Sequence, residues 1–496
     1  MGSGVEAEFP NILNLESEDS PLNLRGELLA EIRPTIPGAL HVRIVAENED
    51  MFTDSTGRLF QNEASAQSGG RGSIEEEEVV IPEMIVGISK DGAYERYPND
   101  ANGMHQAFAY FDERMRAVQG EPGNMDSVPL TNILPPQDGW LYTELGRTAS
   151  IGPPAIGSAR TGTHSIHYSI GVPLSTSYNF LKYLNSNTRR HTGNQQQLND
   201  ARRNLNSALG FADAVAARFA HQKFFGMSAP PYIAQYAARY ANIPDRHVQE
   251  VRGAAAVLYS LGAAAAHTST YPGNAKDNAI ALVRHNPNSL FGQLSPDARQ
   301  WLTTNARNII AGFDSTYSRD HPNQVRDYNQ NMHYSQNMHY RSKLADQPSN
   351  VRLAIDDTFT VGDLISSGLV ENYGKRTELK DTFTSTVVPI DNNGRIPLIV
   401  FEARYFGERN VSAEDFRTNH SALSTMAAEA QHNAAALMHP NEHVLRTVNG
   451  ENQYLASQLA LHPPVSGQSS RTHTHGSTQL YPPSTRRHQP GRTRGR

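Results

Sequence analysis

Two short runs far apart in the chain obey one rule, and that rule constrains the fold more than any other feature. Gly4-Val5-Glu6-Ala7-Glu8-Phe9 alternates apolar and acidic residues with a period of two, and Phe401-Glu402-Ala403-Arg404-Tyr405 does the same with one acid and one base. Period two is the repeat of an extended strand, whose successive side chains point to opposite faces. The first run therefore predicts a strand with Val5, Ala7 and Phe9 on one face and Glu6 and Glu8 on the other. The second puts Phe401, Ala403 and Tyr405 opposite Glu402 and Arg404. Two carboxylates about 7 Å apart on one strand face repel by about 2 kcal/mol at an effective dielectric of about 20. On a concave or buried face a divalent cation offsets that repulsion, and carboxylate oxygens combined with substrate phosphates are what Mg²⁺ prefers. A solvent-facing side of an edge strand would show the same alternation. Glu402 beside Arg404 reads either as an ion pair or as a metal ligand next to a clamp for carboxylate or phosphate.

Between these runs the local patterns change character. Up to about residue 171 the chain is strand-like, with apolar runs at 40–45, 79–86 and 165–172 separated by Gly, Pro and Asn turns. The middle reads as helical over 175–184, 198–225, 232–242, 245–261 and 295–313, where apolar residues recur at three and four. Ser295-Pro296 reads as the cap and first residue of the last of these. Strand-like runs return at 384–390 and 396–406, and a final helix reads over 422–438. A hexapeptide, Asn331-Met332-His333-Tyr334-Ser335-Gln336, is followed by a near copy starting at Asn337, which reads as a duplication in a surface loop. From Pro463 the chain is rich in Gly, Pro, Ser and Thr with no apolar period, the composition of a disordered tail.

Composition narrows the chemistry. The 496 residues contain no cysteine, which excludes disulfides, a thiolate nucleophile, Cys-ligated zinc and iron–sulfur clusters. A net charge of −6 is unevenly spread: no acid follows Glu451, while six arginines follow Pro463. An acidic globule with a basic tail results, and the tail would give weak contact with nucleic acid or anionic surfaces at most. No apolar run reaches the ~20 residues of a membrane span, and no secretory leader pattern opens the chain, so a cytoplasmic protein is expected. Phosphate loops, dinucleotide fingerprints, zinc-protease helices and nucleophile elbows are all missing from the sequence.

Two further pieces complete the set. Ser165-Ile166-His167-Tyr168-Ser169 presents Ser165, His167 and Ser169 on one strand face, and Glu78-Val79-Val80-Ile81-Pro82 is an acidic start to an apolar strand. Together the four pieces resemble the amidoligase family, a branch of the glutamine-synthetase-like carboxylate–amine ligases. That family has a Gly-φ-Glu-φ-Glu-φ first strand, φ being apolar. A Glu-bearing strand, a His-x-His strand and a late φ-Glu-φ-Arg strand follow. Glu6 and Glu8, Glu78, His167, and Glu402 with Arg404 match in that order, through four short motifs across residues 4 to 407. Ser165 stands where the family has its first histidine.

The resemblance implies an α+β fold, a curved antiparallel sheet forming a funnel. Residues 1–197 and 348–462 would build it, interrupted by a helical insertion over 198–347 and followed by a tail over 463–496. It implies ATP- and Mg²⁺-dependent amide formation through an acyl phosphate, from small-molecule or peptide carboxylates and amines. Glu6, Glu8 and Glu402 would be metal ligands, Glu78 a ligand or amine-binding carboxylate. His167 would contact metal or phosphate, and Arg404 would hold phosphate or the substrate carboxylate. The alternative reading, motivated by Ser165 and the long insertion, is a catalytically degenerate relative acting as a binding or scaffold module.

Overall fold

The computed structural model describes residues 3–9, 11–15, 26–33, 39–56, 58–60, 67, 74–90, 93–95, 101–118, 127–155, 165–188, 195–226, 228–229, 236–270, 280–283, 287–321, 387–390, 394–403, 406 and 412–438. The hexapeptide repeat and the basic tail lie outside them. The chain is a mixed helix and antiparallel-sheet (α+β) protein. Strands β1 (Ser3–Glu8), β2 (Asn11–Asn14), β3 (Leu28–Ile32), β4 (Leu40–Thr53), β5 (Leu59–Phe60), β6 (Glu75–Lys90) and β7 (Ala93–Glu95) come first. Helix α1 (Ala101–Ala117), β8 (Val128–Pro129), α2 (Leu130–Ile133), β9 (Leu141–Tyr142), α3 (Glu144–Thr148), β10 (Ser150–Pro154) and β11 (Ser165–Pro173) follow. The middle holds α4 (Leu174–Asn187), α5 (Gln195–Phe225), α6 (Ala237–Ala241), α7 (Arg246–Thr270), β12 (Ala281–Val283), α8 (Pro287–Gly292), α9 (Pro296–Thr304) and α10 (Ala306–Asp320). The last described elements are β13 (Val387–Ile390), β14 (Gly394–Ala403) and α11 (Ala413–Met438).

The main sheet runs β12-β14-β11-β1-β6-β4-β3-β9, with β13, β5 and β7 pairing off this path, and every ladder in it is antiparallel. A small second sheet, β2-β10-β8, sits beside it. The alternation in the sequence decides which face is buried. Val5, Ala7 and Phe9 from β1, Tyr168 and Ile170 from β11, and Phe401 and Ala403 from β14 are all buried. On that face Phe9 meets Phe108 and Phe111 of α1 at ring-centroid distances of 6.1 and 4.7 Å, and Tyr168 stacks on Phe416 of α11 at 6.0 Å. Helix α4 adds Phe180 against Phe401 at 5.6 Å.

Two residues set the limits of this arrangement. The β1–β6 ladder ends at Glu8 and Glu83; beyond it Phe9 donates to the carbonyl of Pro82 at 3.1 Å. Proline has no N–H to return that bond, so pairing stops there and the chain leaves for the second sheet. Gly253 of α7 lies where a Cβ would sit 1.9 Å from the carbonyl oxygen of Leu174, so the bare backbone lets α7 close on the start of α4. The helical segment between β11 and β14 is not laid over the sheet from outside alone. Its strand β12 pairs with β14, Leu282 opposite Glu402, and its helix α7 packs on α4. No helix among the described residues is long and apolar enough to cross a membrane.

Candidate functional site

The sheet's second face carries the charges. In β1, Glu6 stands opposite His167 of β11 on one side and Ile85 of β6 on the other; Glu8 stands opposite Ser165 and Glu83. Glu402 of β14 stands opposite Ser169 of β11. Four charged positions of three strands, far apart in sequence, thus converge with no loop involved. The His167 Nδ1 atom lies 3.9 Å from Glu8 Oε1 and 3.8 Å from Glu402 Oε1. Both separations are just beyond hydrogen-bond length, so the imidazole sits between two carboxylates without bonding tightly to either. Glu402 is wholly buried, and His167 is 7% exposed. Glu6 and Glu8 are half-buried, so the cluster is deepest at β14.

The same face continues to the far side of the sheet. Glu83 extends the acidic row, 7% exposed and opposite Val45 of β4. Arg43 of β4 lies opposite Ile85 and opposite Glu31 of β3, giving one rung Glu31–Arg43–Ile85–Glu6–His167 across five strands. On the next rung His41 faces Gly87, while Gly4 faces Ser169. The strands between His41 and Ser169 therefore carry glycine, which leaves a floor without side chains between a basic wall and an acidic one.

The basic wall is knit around Glu31. His41 Nε2 lies 2.7 Å from Glu31 Oε2, Arg33 takes Oε1, and Arg43 Nε reaches Oε2 at 3.5 Å. Burial raises the Glu31 carboxyl, but the hydrogen bond from His41 and the Arg33 charge outweigh it and hold the group below its ordinary value. Burial pushes the His41 imidazole down, against the hydrogen bond to Glu31. A neutral His41 beside an ionised carboxylate must donate, so Nε2 carries the proton.

Of the residues picked out from sequence, Glu6, Glu8, His167 and Glu402 come to one face. Arg404 lies outside the described residues. Glu78 does not join them. Its position on β6 pairs with Asp50 and lies past the end of the β1 ladder, which stops at Glu83. The reason is the length of β6, 16 residues, whose acidic start overhangs its neighbour; the β6 residue opposite Glu8 is Glu83. Sequence reasoning also missed Glu31, His41 and Arg43. Leu40-His41-Val42-Arg43-Ile44 alternates with the same period as β1, and that pattern was sufficient to find two of them.

Among the described residues, no three His, Asp or Glu side chains are arranged to enclose a metal ion by themselves. No family model matches the chain, and neither does any curated protein or any solved structure.

Proposed function

We propose that the chain is an ATP- and Mg²⁺-dependent carboxylate–amine ligase working on the charged face of the main sheet. One observation carries the reading: Glu6, Glu8, His167 and Glu402, chosen from three scattered motifs, share one face of three adjacent strands. Mg²⁺ keeps several waters and takes one or two carboxylates together with phosphate oxygens, so a face lacking a closed protein cage suits it. The sheet would curve as a funnel, with Glu402 at its floor. In such a ligase ATP activates a carboxylate as an acyl phosphate, which an amine then converts to an amide.

The residues' own tasks follow from charge and depth. Glu6 and Glu8, half-buried, would hold the ion, with Glu402 and Glu83 flanking it. His167 would contact phosphate or metal from between Glu8 and Glu402. Arg43, on the Glu6 rung, supplies on this face a guanidinium that can take a carboxylate or phosphate in the way expected of Arg404. Phosphoryl transfer relies on positioning and charge neutralisation more than on a protein nucleophile, which agrees with a cysteine-free chain.

The test is thermal unfolding with Mg-ATP in wild type and in Glu6→Gln/Glu8→Gln. A ligand at about 100 times its dissociation constant stabilises by about 2.7 kcal/mol. A Mg²⁺-dependent rise that disappears in the double variant is the expected result; no rise in wild type would overturn the reading. The imidazole set between two carboxylates also favours a second reading, in which His167 is a fixed structural link and the chain a non-catalytic binding module. Mg²⁺-dependent release of ADP by the pure protein would eliminate that second reading.

A further inference from the structure

The basic wall of the sheet face is ordered around an anchor. Glu31 is 5% exposed, and its carboxylate is fixed from two sides: Arg33 takes Oε1, and His41 Nε2 lies 2.7 Å from Oε2. Arg43 Nε reaches the same Oε2 at 3.5 Å, within the range of an ion pair but long for a hydrogen bond. His41 is buried, whereas the Arg43 side chain is 32% exposed. The carboxylate is therefore the rigid partner in this contact and the arginine the adjustable one.

Strand order gives the contact a direction. On their shared rung Arg43 has Glu31 of β3 on one side and Ile85 of β6 on the other, with Glu6 of β1 beyond Ile85. Two strand spacings, roughly 10 Å, separate the Arg43 and Glu6 positions. Ile85 is buried and brings no charge to the rung between them. The anchor thus lies on the side of Arg43 away from the acids of β1.

Charge and entropy both bear on what such an anchor does. Burial works against ionisation of Glu31, but the His41 hydrogen bond and the Arg33 charge outweigh it, so the anchor is charged at neutral pH. Two guanidiniums face this one carboxylate within the wall. An arginine has many rotamers, and a ligand that recruits one must order it. Leaning on a carboxylate that is already fixed removes part of that ordering before the ligand arrives.

We propose that Glu31 is a positioning residue for Arg43: it steers the guanidinium so that its terminal Nη atoms, reaching across Ile85, meet the γ-phosphate of Mg-ATP. The inference rests on the ligase reading, in which Glu6 and Glu8 hold the ion that the phosphates share. Glu31 touches neither nucleotide nor metal. It acts through Arg43, and His41 acts one step further back by fixing Oε2. ADP lacks the γ-phosphate, so the effect of Glu31 belongs to ATP and not to ADP.

The test is calorimetric titration of the whole chain with Mg-ATP and with Mg-ADP, in wild type, Glu31→Gln, Arg43→Gln and the double variant. Arg43→Gln should weaken Mg-ATP about tenfold or more and Glu31→Gln about fivefold, each changing Mg-ADP by less than about twofold. The double variant should bind Mg-ATP no more weakly than Arg43→Gln, because a residue acting through Arg43 then has nothing left to position. A merely structural role for Glu31 would add its loss to that of Arg43→Gln or weaken both nucleotides alike. Either result, or unaltered Mg-ATP affinity in Glu31→Gln, overturns the inference and leaves the ligase reading standing. Failure of wild type to bind Mg-ATP refutes the ligase reading and this inference with it. If Glu31→Gln does not fold, Glu31→Asp keeps the charge, draws the carboxylate back by one methylene and carries the same cycle, with a loss of about threefold expected.

Discussion

Acid should loosen the contact between α1 and α11 through one histidine. His420 of α11 is wholly buried, with its Nδ1 3.0 Å from Nε2 of His105 in α1 and its ring stacked near Phe416 and Tyr168. Burial first, and the neighbouring His105 second, push His420 down to about 4 from an ordinary 6.5. A histidine whose folded value is depressed binds its proton more readily when unfolded. Its contribution is therefore complete above about pH 6.5, declines as the pH falls, and is exhausted below about pH 4. A separation of about 2.5 units amounts to ~3 kcal/mol in all, of which ~2 kcal/mol is lost between pH 7 and pH 5. Chemical denaturation at those two pH values, in wild type and in His420→Asn, isolates the term. Asn places an oxygen near the former Nδ1 and cannot titrate, while acid-sensitive groups elsewhere, Glu31 and His41 included, are common to both proteins and cancel in the difference. Wild type should lose about 2 kcal/mol more than the variant. Equal losses in the two would refute the assignment, whatever the variant's absolute stability.

Two substitutions test the packing of the helical layer. Gly253→Ala gains about 1 kcal/mol in helix propensity, but its Cβ would lie 1.9 Å from the Leu174 carbonyl oxygen and 2.6 Å from Ser177 Oγ, so overpacking wins and a net loss of roughly 1–3 kcal/mol is expected; a raised melting temperature would contradict it. Arg252, 4% exposed at its side chain, places Nε and Nη2 on Asp213 Oδ1 at 2.9 and 2.6 Å, Nη1 on Asn242 at 2.8 Å, and its guanidinium 3.4 Å from the centre of the Tyr178 ring. Arg252→Lys keeps the charge but not the fork, and should cost about 3 kcal/mol in thermal or chemical unfolding; a loss below about 1 kcal/mol would show that the charge alone matters.

How far the chain could be read beforehand depended on the range of the interactions involved. Strand alternation is local, so Val5, Ala7 and Phe9 and their acidic partners were assigned to faces correctly, as were Glu402 and His167. Register is not local. Only the pairing of β1 with β6 shows that Glu83, not Glu78, lies beside Glu8, and no feature of residues 75–83 alone encodes that offset. Helix readings fared similarly. The 198–225 helix is found at 195–225, but the one expected over 295–313 is two helices, 296–304 and 306–320. The break is at Asn305, whose backbone and side-chain nitrogens both turn back to the Trp301 carbonyl. Ser295 does begin α9, yet its side chain forms no cap bond; its backbone N–H is taken by Glu250, 45 residues earlier. The charged face was traceable in part for the same reason. Its acids follow a local rhythm, whereas the approach of Glu31 to His41 and Arg43 depends on the register of β3 against β4.

The position of β1 has a price in time during synthesis. Residues 3–8 form a central strand, yet one neighbour, β11, comes at 165–173, and β14, which completes the cluster on β11's other side, at 394–403. At about 5–20 residues per second, β1 waits on the order of ten to thirty seconds for β11, and β14 arrives later still. During that interval an apolar strand face stands unmatched, and the long β4–β6 ribbon is the first partner the ribosome delivers. Pulse-labelled amides on stalled nascent chains should accordingly gain protection in β4 and β6 first, then β1, with the face that holds Glu402 closing only when synthesis has passed β14.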